Sequence, residues 1–149
     1  MIKLMKIEDV ETHAEAISIL LSYCFEETYS DRVSEEILLE KMQSLRLHLT
    51  QEKAFPIGAF CNDHLVGFLW GYPISSPHGD RFHVAYISVA KENRRKGIAS
   101  KLMQKAQEVA AKKNISQIEL RVGVSNEKAL QFYRKIGFRA ESTMMIKGA

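Results

Sequence analysis

The sequence predicts an α/β protein with a mixed sheet, in the element order βααβββαβαβ. Two helix-like stretches lie within the first 50 of the 149 residues, three strand-like stretches follow in succession, and strand–helix–strand units fill the C-terminal half. Strands joined by a tight turn pair antiparallel, whereas a strand–helix–strand unit makes a parallel pair. We therefore expect antiparallel and parallel strands in one sheet.

The first 50 residues are predicted to form a short strand and two helices. Residues 2–5 are strand-like, and Asp9 is a candidate N-cap for one amphipathic helix. The apolar stripe of that helix recurs at i+3 and i+4 and consists of Val10, Ala14, Ile17, Leu21, Cys24 and Thr28. Ser34 is the candidate N-cap of the second helix, with Leu38, Met42, Leu45 and Leu49 along one side. Cys24 is predicted to be a core residue rather than a nucleophile, because it lies on the apolar stripe.

Three consecutive strands are predicted in the middle of the chain. Segments 56–61 and 65–72 flank Asn62 and Asp63, a pair that tolerates the positive φ angles of a tight hairpin. These two strands are expected to be antiparallel neighbours. A further strand is predicted at 82–89.

The C-terminal half is predicted to contain a helix, a strand, a second helix and a last strand. The first helix presents Ile98, Leu102, Ala106 and Val109 on its inner face. Residues 115–122 alternate as a strand does. Asn126 begins the second helix, whose apolar side consists of Ala129, Phe132, Tyr133 and Ile136, and Gly137 ends it. The alternation of residues 138–146 predicts a terminal strand.

Length and composition indicate a single domain over residues 1–149, with 46% hydrophobic and 26% charged residues. No stretch reaches the roughly 18 consecutive apolar residues of a membrane span, and the N-terminus is charged where a signal peptide is apolar. Cys24 and Cys61 match no metal-ligand spacing, and the five histidines contain no i,i+4 pair. We expect a cytoplasmic protein with no disulfide scaffold, no metal and no membrane partner.

The net charge of +3 is unevenly distributed along the chain. Segment 91–113 carries eight Lys and Arg against two Glu, while segment 26–36 carries five Asp and Glu against Arg32. Two solvated surfaces are the simpler interpretation, and two ligands of opposite charge are the alternative. The basic segment lacks interleaved aromatic residues, so we expect no nucleic-acid partner.

The segment from Val89 to Ser100 runs from a strand through a basic loop into a helix. The first turn of a helix has backbone N–H groups without intrahelical acceptors, and its dipole attracts anions such as phosphate. The single Gly97 fits neither the P-loop nor the dinucleotide fingerprint. A basic surface turn is the alternative interpretation.

The segment from Asn126 to Tyr133 carries a second candidate pair. These two residues are seven positions apart, which places them near one face of a helix. Taken singly, a helix cap and a core tyrosine are the simpler interpretations.

Together these two segments resemble the GNAT superfamily of N-acetyltransferases. Its first signature, Q/R-x-x-G-x-G/A, is matched by Arg94, Gly97 and Ala99, and its second motif is matched by Asn126, Ala129, Phe132, Tyr133, Gly137 and Phe138. The order of helices and strands is also similar, so the resemblance covers essentially the whole chain. It implies the GNAT acyl-CoA N-acyltransferase fold, a mixed sheet of six to seven strands flanked by about four helices.

The resemblance implies where acetyl-CoA would bind as a cosubstrate. The strand at 82–89 would splay from that at 117–122, and the pantetheine arm would pair with the backbone near Ile87 and Val89 and contact Asn126. The N–H groups from Arg95 to Ser100 would hold the pyrophosphate. The cosubstrate-binding residues are thus predicted to be Ile87, Val89, Arg94, Arg95, Lys96, Gly97, Ile98, Ala99, Ser100 and Asn126.

The implied reaction is direct acetyl transfer from the thioester to a primary amine of a small molecule or peptide. Tyr133 would be the catalytic acid, because a phenol with a pKa of about 10 stays protonated at neutral pH. The proton acceptor is left open among Glu27, Tyr86, His83, Glu119 and a water chain. The alternative is an acyl-CoA sensor without turnover, and a homodimer is a further expectation.

Overall fold

The computed structural model describes residues 1–29 and 32–149, which form five β-strands and five α-helices. The elements are β1 (Ile2–Leu4), α1 (Ile7–Thr12), α2 (Ala14–Tyr29), α3 (Glu35–Thr50), β2 (Phe55–Cys61), β3 (His64–Ile74), β4 (Arg81–Val89), α4 (Ile98–Ala111), β5 (Ile118–Leu120) and α5 (Glu127–Lys135). A short 3-10 turn over Lys91–Asn93 precedes α4. Asp31, part of the acidic segment, lies outside the described residues.

The five strands form one mixed sheet in the order β1-β2-β3-β4-β5. The first three pairings are antiparallel and the pairing of β4 with β5 is parallel, which confirms the predicted α/β class and mixed sheet. Asn62 and Asp63 form the predicted hairpin turn, with φ of 49° and 64°. Since the strand period is two, alternate side chains face opposite layers of helices.

An apolar cluster fills each face of the sheet. On one face Phe82 and Leu102 are fully buried where α4 packs against β2, β3 and β4. On the other, Ile17 of α2 and Leu45 of α3 pack with Phe68 and other residues of β3. The predicted inner sides of α3 and α4 are therefore confirmed.

The first predicted helix is two helices, α1 and α2, which meet at His13. His13 ends α1 with φ −111° and ψ 20°, and its ring packs against that of Phe60 with centroids 5.0 Å apart. Asp9 is not the N-cap. It lies in the first turn, where its carboxylate accepts hydrogen bonds from the Lys6 N–H and from Lys3 Nζ, each 2.8 Å long. The prediction was wrong because the i+3 and i+4 spacing continues across the break.

The predicted terminal strand is absent from the described structure, so the sheet has five strands rather than six or seven. Residues 138–149 have no regular secondary structure, and the predicted strand at 115–122 is reduced to 118–120. Arg81 fixes the start of this tail through two hydrogen bonds to the Glu141 carboxylate, of 2.6 and 2.8 Å. Met144 and Ile146 are 72% and 94% exposed. The alternate apolar residues of the tail therefore do not pack on the rest of the protein, and no buried face fixes them as a strand.

The predicted end of the last helix at Gly137 is confirmed. Gly137 has φ +105°, its N–H donates to Arg134 O at 3.1 Å, and the Phe138 N–H donates to Tyr133 O at 2.9 Å. This pair of bonds is a Schellman motif, which satisfies the last carbonyls of the helix. It also fixes the C-terminal turn that holds Tyr133.

We expect Gly71→Ala to destabilise the fold by about 1–3 kcal/mol. A Cβ at Gly71 would overlap the ring of Phe82, which is fully buried and has no room to move. The loss is measured as the free energy of unfolding in urea. Gly123→Ala is the matched control, because a Cβ there meets nothing within 4 Å. Equal stability of the two variants would contradict the packing described for β3 and β4.

Candidate active site

β4 extends well beyond the end of β5. The two strands pair only over 82–84 and 118–120, after which β4 pairs with β3 alone as far as Val89. The register shifts at Ala85, a β-bulge that bends β4 just where the pairing with β5 stops. The edge of β4 from Ala85 to Val89 therefore has no β5 residue paired with it, and the space beside this edge, called the opening below, is where the resemblance implies a gap.

The backbone of β4 faces this opening at alternate residues. The Ala90 N–H donates to Val66 O at 2.8 Å, on the side of β3. Because hydrogen-bonding direction alternates along an antiparallel strand, the N–H and C=O groups of Ile87 and Val89 point away from β3. These are the backbone groups predicted to pair with a pantetheine arm.

The N-terminus of α4 lies directly after the end of β4 and its basic loop. Gly97 is the N-cap, with φ 76° and ψ 12°, and no side chain caps the helix. A Cβ at Gly97 would meet nothing within 4 Å, so the space above it is open. The side chains of Arg95 and Lys96 are exposed beside it. Free N–H groups, the positive end of the helix dipole and two cations thus favour an anionic ligand.

Arg94 is turned away from that anion site, toward α2. Its Nη2 lies 2.8 Å from Oε1 of Glu27, and its Nε donates to Val89 O at 3.0 Å. Its guanidinium also lies 5.9 Å from the ring centre of Tyr23. Arg94 therefore connects α2 to the end of β4 in this structure, a role that the motif did not predict.

Cys24 of α2 also borders the opening, beside Ile87 of β4. Its thiol donates to Ile87 O, with sulfur and oxygen 3.3 Å apart. Burial raises the pKa of the Cys24 thiol to about 11, and the nearby Glu27 carboxylate adds to the rise. The prediction of a core residue captured the burial of Cys24 but not its contact with β4, since nothing in the sequence reports where α2 crosses the sheet.

We expect the two thiols to react at very different rates. Cys61 is exposed, whereas a pKa near 11 leaves Cys24 with about 100-fold less thiolate at pH 8 than its ordinary value of 9.0 gives. Titration with an aromatic disulfide reagent at pH 8 should thus show one fast thiol per chain. Cys61→Ser should remove the fast phase. A fast phase that remains in this variant would show Cys24 to be accessible.

Tyr133 lies on α5, near Cys24 and Glu27 of α2. Its ring packs against those of Phe132 and Phe138, at centroid distances of 5.3 and 5.6 Å. Burial raises the pKa of Tyr133 to about 12, and the proximity of Cys24 and Glu27 adds to the rise. Its hydroxyl therefore stays protonated throughout the neutral range and can act only as a proton donor there.

Asn126 is the N-cap of α5, as the simpler interpretation of this residue predicted. Its side-chain oxygen accepts a hydrogen bond from the Ala129 N–H at 3.3 Å. The cap fixes the start of the helix that carries Tyr133. Contact of Asn126 with a pantetheine arm stays a prediction.

The candidate proton acceptors occupy three different settings. Glu27 is paired with Arg94. The Tyr86 ring packs against Phe25 and Trp70, with centroids 5.8 and 5.4 Å away. The other two candidates, His83 and Glu119, are paired with each other, with His83 Nδ1 2.7 Å from Glu119 Oε2.

Two further observations concern the residues that the structure describes. No group of three His, Cys, Asp or Glu side chains among them is arranged to hold a metal ion. In the same part of the chain, no helix is both long and apolar enough to cross a membrane.

Comparison with known proteins agrees with this geometry. Residues 14–138 match the family model described as the acetyltransferase (GNAT) family. The chain is 38% identical over 94 residues to N-alpha-acetyltransferase 30 of Schizosaccharomyces pombe, an alignment that covers 62% of this chain and 63% of that protein. It is 40% identical over 62 residues to an uncharacterized N-acetyltransferase of Methanocaldococcus jannaschii, covering 42% of this chain and 26% of that one. The chain thus spans less than two thirds of these relatives' own lengths.

Solved structures support the fold alone. A ribosomal-protein-alanine N-acetyltransferase from Brucella melitensis superposes with a TM-score of 0.74 at 23% identity, covering 100% of this chain and 99% of that one. A Clostridium difficile protein described as a possible acetyltransferase superposes with a TM-score of 0.79 at 21% identity, covering 100% and 96%. Because the family model matches most of its length, the chain belongs to the GNAT family of acetyltransferases.

Proposed function

We propose that residues 1–149 act as a single-domain, acetyl-CoA-dependent N-acetyltransferase that transfers the acetyl group directly to a primary amine. The observation that carries this proposal is the opening between β4 and β5, where the backbone of Ile87 and Val89 lies beside the uncapped N-terminus of α4. An extended amide chain fits against a strand edge, and a pyrophosphate fits a helix N-terminus. The arrangement suits both ends of an acyl-CoA.

The chain's own residues would bind this cosubstrate at two places. The N–H groups between Arg95 and Ser100 receive the pyrophosphate, with Lys96 beside them. The backbone of Ile87 and Val89 orients the pantetheine arm, and Asn126 contacts it from α5. Arg94 Nε donates to the Val89 carbonyl and the Cys24 thiol donates to the Ile87 carbonyl, so both carbonyls must be released for the arm to pair with them.

The chemical step then needs a polarised carbonyl, a neutral amine and a protonated leaving group. The amine nitrogen bonds to the thioester carbon, and the carbon–sulfur bond breaks. The Val89 N–H stabilises the negative charge that develops on the carbonyl oxygen. Tyr133 donates its proton to the departing thiolate, which its raised pKa permits.

Peptide amino termini are the first acceptor class to test. The relative with 38% identity carries the name N-alpha-acetyltransferase. The acidic residues near the start of α3, Glu35 and Glu36, would attract a cationic acceptor, although acidic residues there also favour the helix dipole. Small polyamines form the second class.

The experiment is thiol release from acetyl-CoA across a panel of peptides and small amines, with the acetylated product identified by mass spectrometry. Amine-dependent release with a matching acetylated product is the expected result. Acetyl-CoA binding with no release from any amine would replace the proposal by an acyl-CoA sensor. A homodimer is tested separately by sedimentation.

A further inference from the structure

His83 and Glu119 form a side-chain pair at the inner end of the opening. They lie opposite each other on β4 and β5, one residue before Val84 and Leu120, where the pairing of these strands ends. Phe82 and Val84 face the α4 side, so His83 and Glu119 face the side of α2 and α3. The Tyr72 ring, which packs toward α2 and α3, lies 5.4 Å from that of His83.

The contact between His83 and Glu119 leaves one imidazole nitrogen of His83 to accept a proton. His83 Nδ1 lies 2.7 Å from Glu119 Oε2, so a neutral imidazole carries its proton on Nδ1 and its lone pair on Nε2. The two side chains are 13% and 26% exposed, so solvent reaches both of them. A base oriented by a carboxylate is a recurring arrangement for proton abstraction.

Surrounding charges hold Glu119 in place. Its other oxygen lies 3.8 Å from Nη1 of Arg81, and Arg81 is itself fixed by the Glu141 carboxylate. On the helical side, Lys41 of α3 lies over the ring of Tyr86, 5.9 Å from its centre. Among the described residues, these contacts place Glu119 and Arg81 around His83, with Glu141 behind Arg81 and Lys41 above the neighbouring tyrosine.

The other candidates are less suited to accept a proton. The Glu27 carboxylate is engaged by the Arg94 guanidinium. Tyr86 is packed between two aromatic rings, and a phenol is a poorer proton acceptor than an imidazole. His83 supplies an imidazole nitrogen, the side-chain group that most often acts as a general base in enzymes.

We propose that His83, oriented by Glu119, is the base that deprotonates the acceptor ammonium before acetyl transfer. The ammonium loses one proton to His83 Nε2 through a chain of water molecules, because His83 and Val89 are six residues apart on β4, and the neutral amine attacks the thioester carbon. Tyr133 protonates the thiolate as the carbon–sulfur bond breaks. His83 then releases its proton to solvent, and the second proton that the nitrogen loses as the amide forms replaces the one given up by Tyr133, so each turnover yields the amide, CoA and one proton.

This inference rests on the proposed function, and the test separates the two. Initial rates are measured with the best amine of the panel from pH 6 to 10 for the wild type, His83→Gln and Glu119→Gln. His64→Gln, at the exposed start of β3, is the matched control. The Kd of acetyl-CoA, measured for every variant, reports whether the cosubstrate site is intact.

The expected result is a loss of about 100-fold in kcat/KM for His83→Gln at pH 7, with the Kd of acetyl-CoA unchanged. That loss should shrink as the pH approaches the amine's own pKa, because the amine then deprotonates without help. Glu119→Gln should lower kcat/KM by about 10-fold, because the imidazole then loses the carboxylate that orients it. His64→Gln should follow the wild type.

Two outcomes would overturn the assignment. If His83→Gln loses the same factor in kcat/KM at every pH, His83 has a structural role. If the pH profile of His83→Gln matches that of the wild type, His83 has no role in the reaction. Either leaves the acetyltransferase proposal standing. Absence of transfer by the wild type to any amine would overturn both.

Discussion

Tyr133→Phe is expected to lower kcat by about 100-fold while leaving the Kd of acetyl-CoA unchanged. The substitution removes only the hydroxyl, and the ring contacts with Phe132 and Phe138 remain. Without the hydroxyl, the thiolate must leave unprotonated or take its proton from water. The measurement is single-turnover acetyl transfer, which separates the chemical step from product release.

The pH dependence of this variant gives an independent check. A pKa of about 12 keeps Tyr133 protonated well above neutral pH, so its titration produces no falling limb below about pH 11 in the wild type. The ratio of wild-type to variant kcat should therefore be constant from pH 6 to 10. An unchanged kcat in Tyr133→Phe, or a ratio that falls within that range, would contradict its role as the acid.

Ser100→Asp is expected to weaken acetyl-CoA binding by about 100-fold. Ser100 is in the first turn of α4, where the pyrophosphate is proposed to lie. Two like charges roughly 6 Å apart, at an effective dielectric constant near 20, repel by 2–3 kcal/mol. The same carboxylate is favourable to the helix, by roughly 0.3–1 kcal/mol, because it lies at the positive end of the dipole. Affinity and stability should therefore change in opposite directions, which misfolding cannot produce.

Ser100→Asn is the matched control for this prediction. It has the shape of Asp without the charge, so a difference between the two variants measures charge alone. Binding is measured by calorimetry at low salt, where screening is weak. Equal affinity of the Asp and Asn variants would show that the phosphates do not lie at the N-terminus of α4.

Local signals in the sequence predicted most of the fold. The Asn62–Asp63 turn, the Ser34 cap and the Gly137 stop depend on the backbone preferences of a few neighbouring residues, and each forms as expected. The Ser34 hydroxyl accepts a hydrogen bond from the Ile37 N–H at 3.2 Å, as its position predicted. Such features need no knowledge of the rest of the chain.

The errors occurred where a tertiary contact decides the outcome. His13 packs on Phe60 of β2 and ends α1, although the apolar spacing on both sides of it is continuous. The tail after Gly137 alternates like a strand, but a strand forms only where a neighbouring edge accepts its hydrogen bonds. Arg81 instead fixes the start of the tail at Glu141.

The candidate site was predictable in its motifs but not in its contacts. The loop from Arg94 to Gly97 and the helix of Tyr133 could be located from spacing and resemblance. Cys24 and Ile87 are 63 positions apart, and no local pattern joins them. The pairing of Arg94 with Glu27 and that of His83 with Glu119 likewise depend on which strands and helices become neighbours.

The opening between β4 and β5, together with the N-terminus of α4, is the site proposed to bind acetyl-CoA. Isothermal titration of the wild-type chain with acetyl-CoA tests this claim most directly, with ATP as the phosphate-bearing control. Saturable one-to-one binding in the micromolar range, with ATP binding far more weakly, is the predicted result. No binding of acetyl-CoA at millimolar concentration, or equal binding of ATP, would contradict the claim.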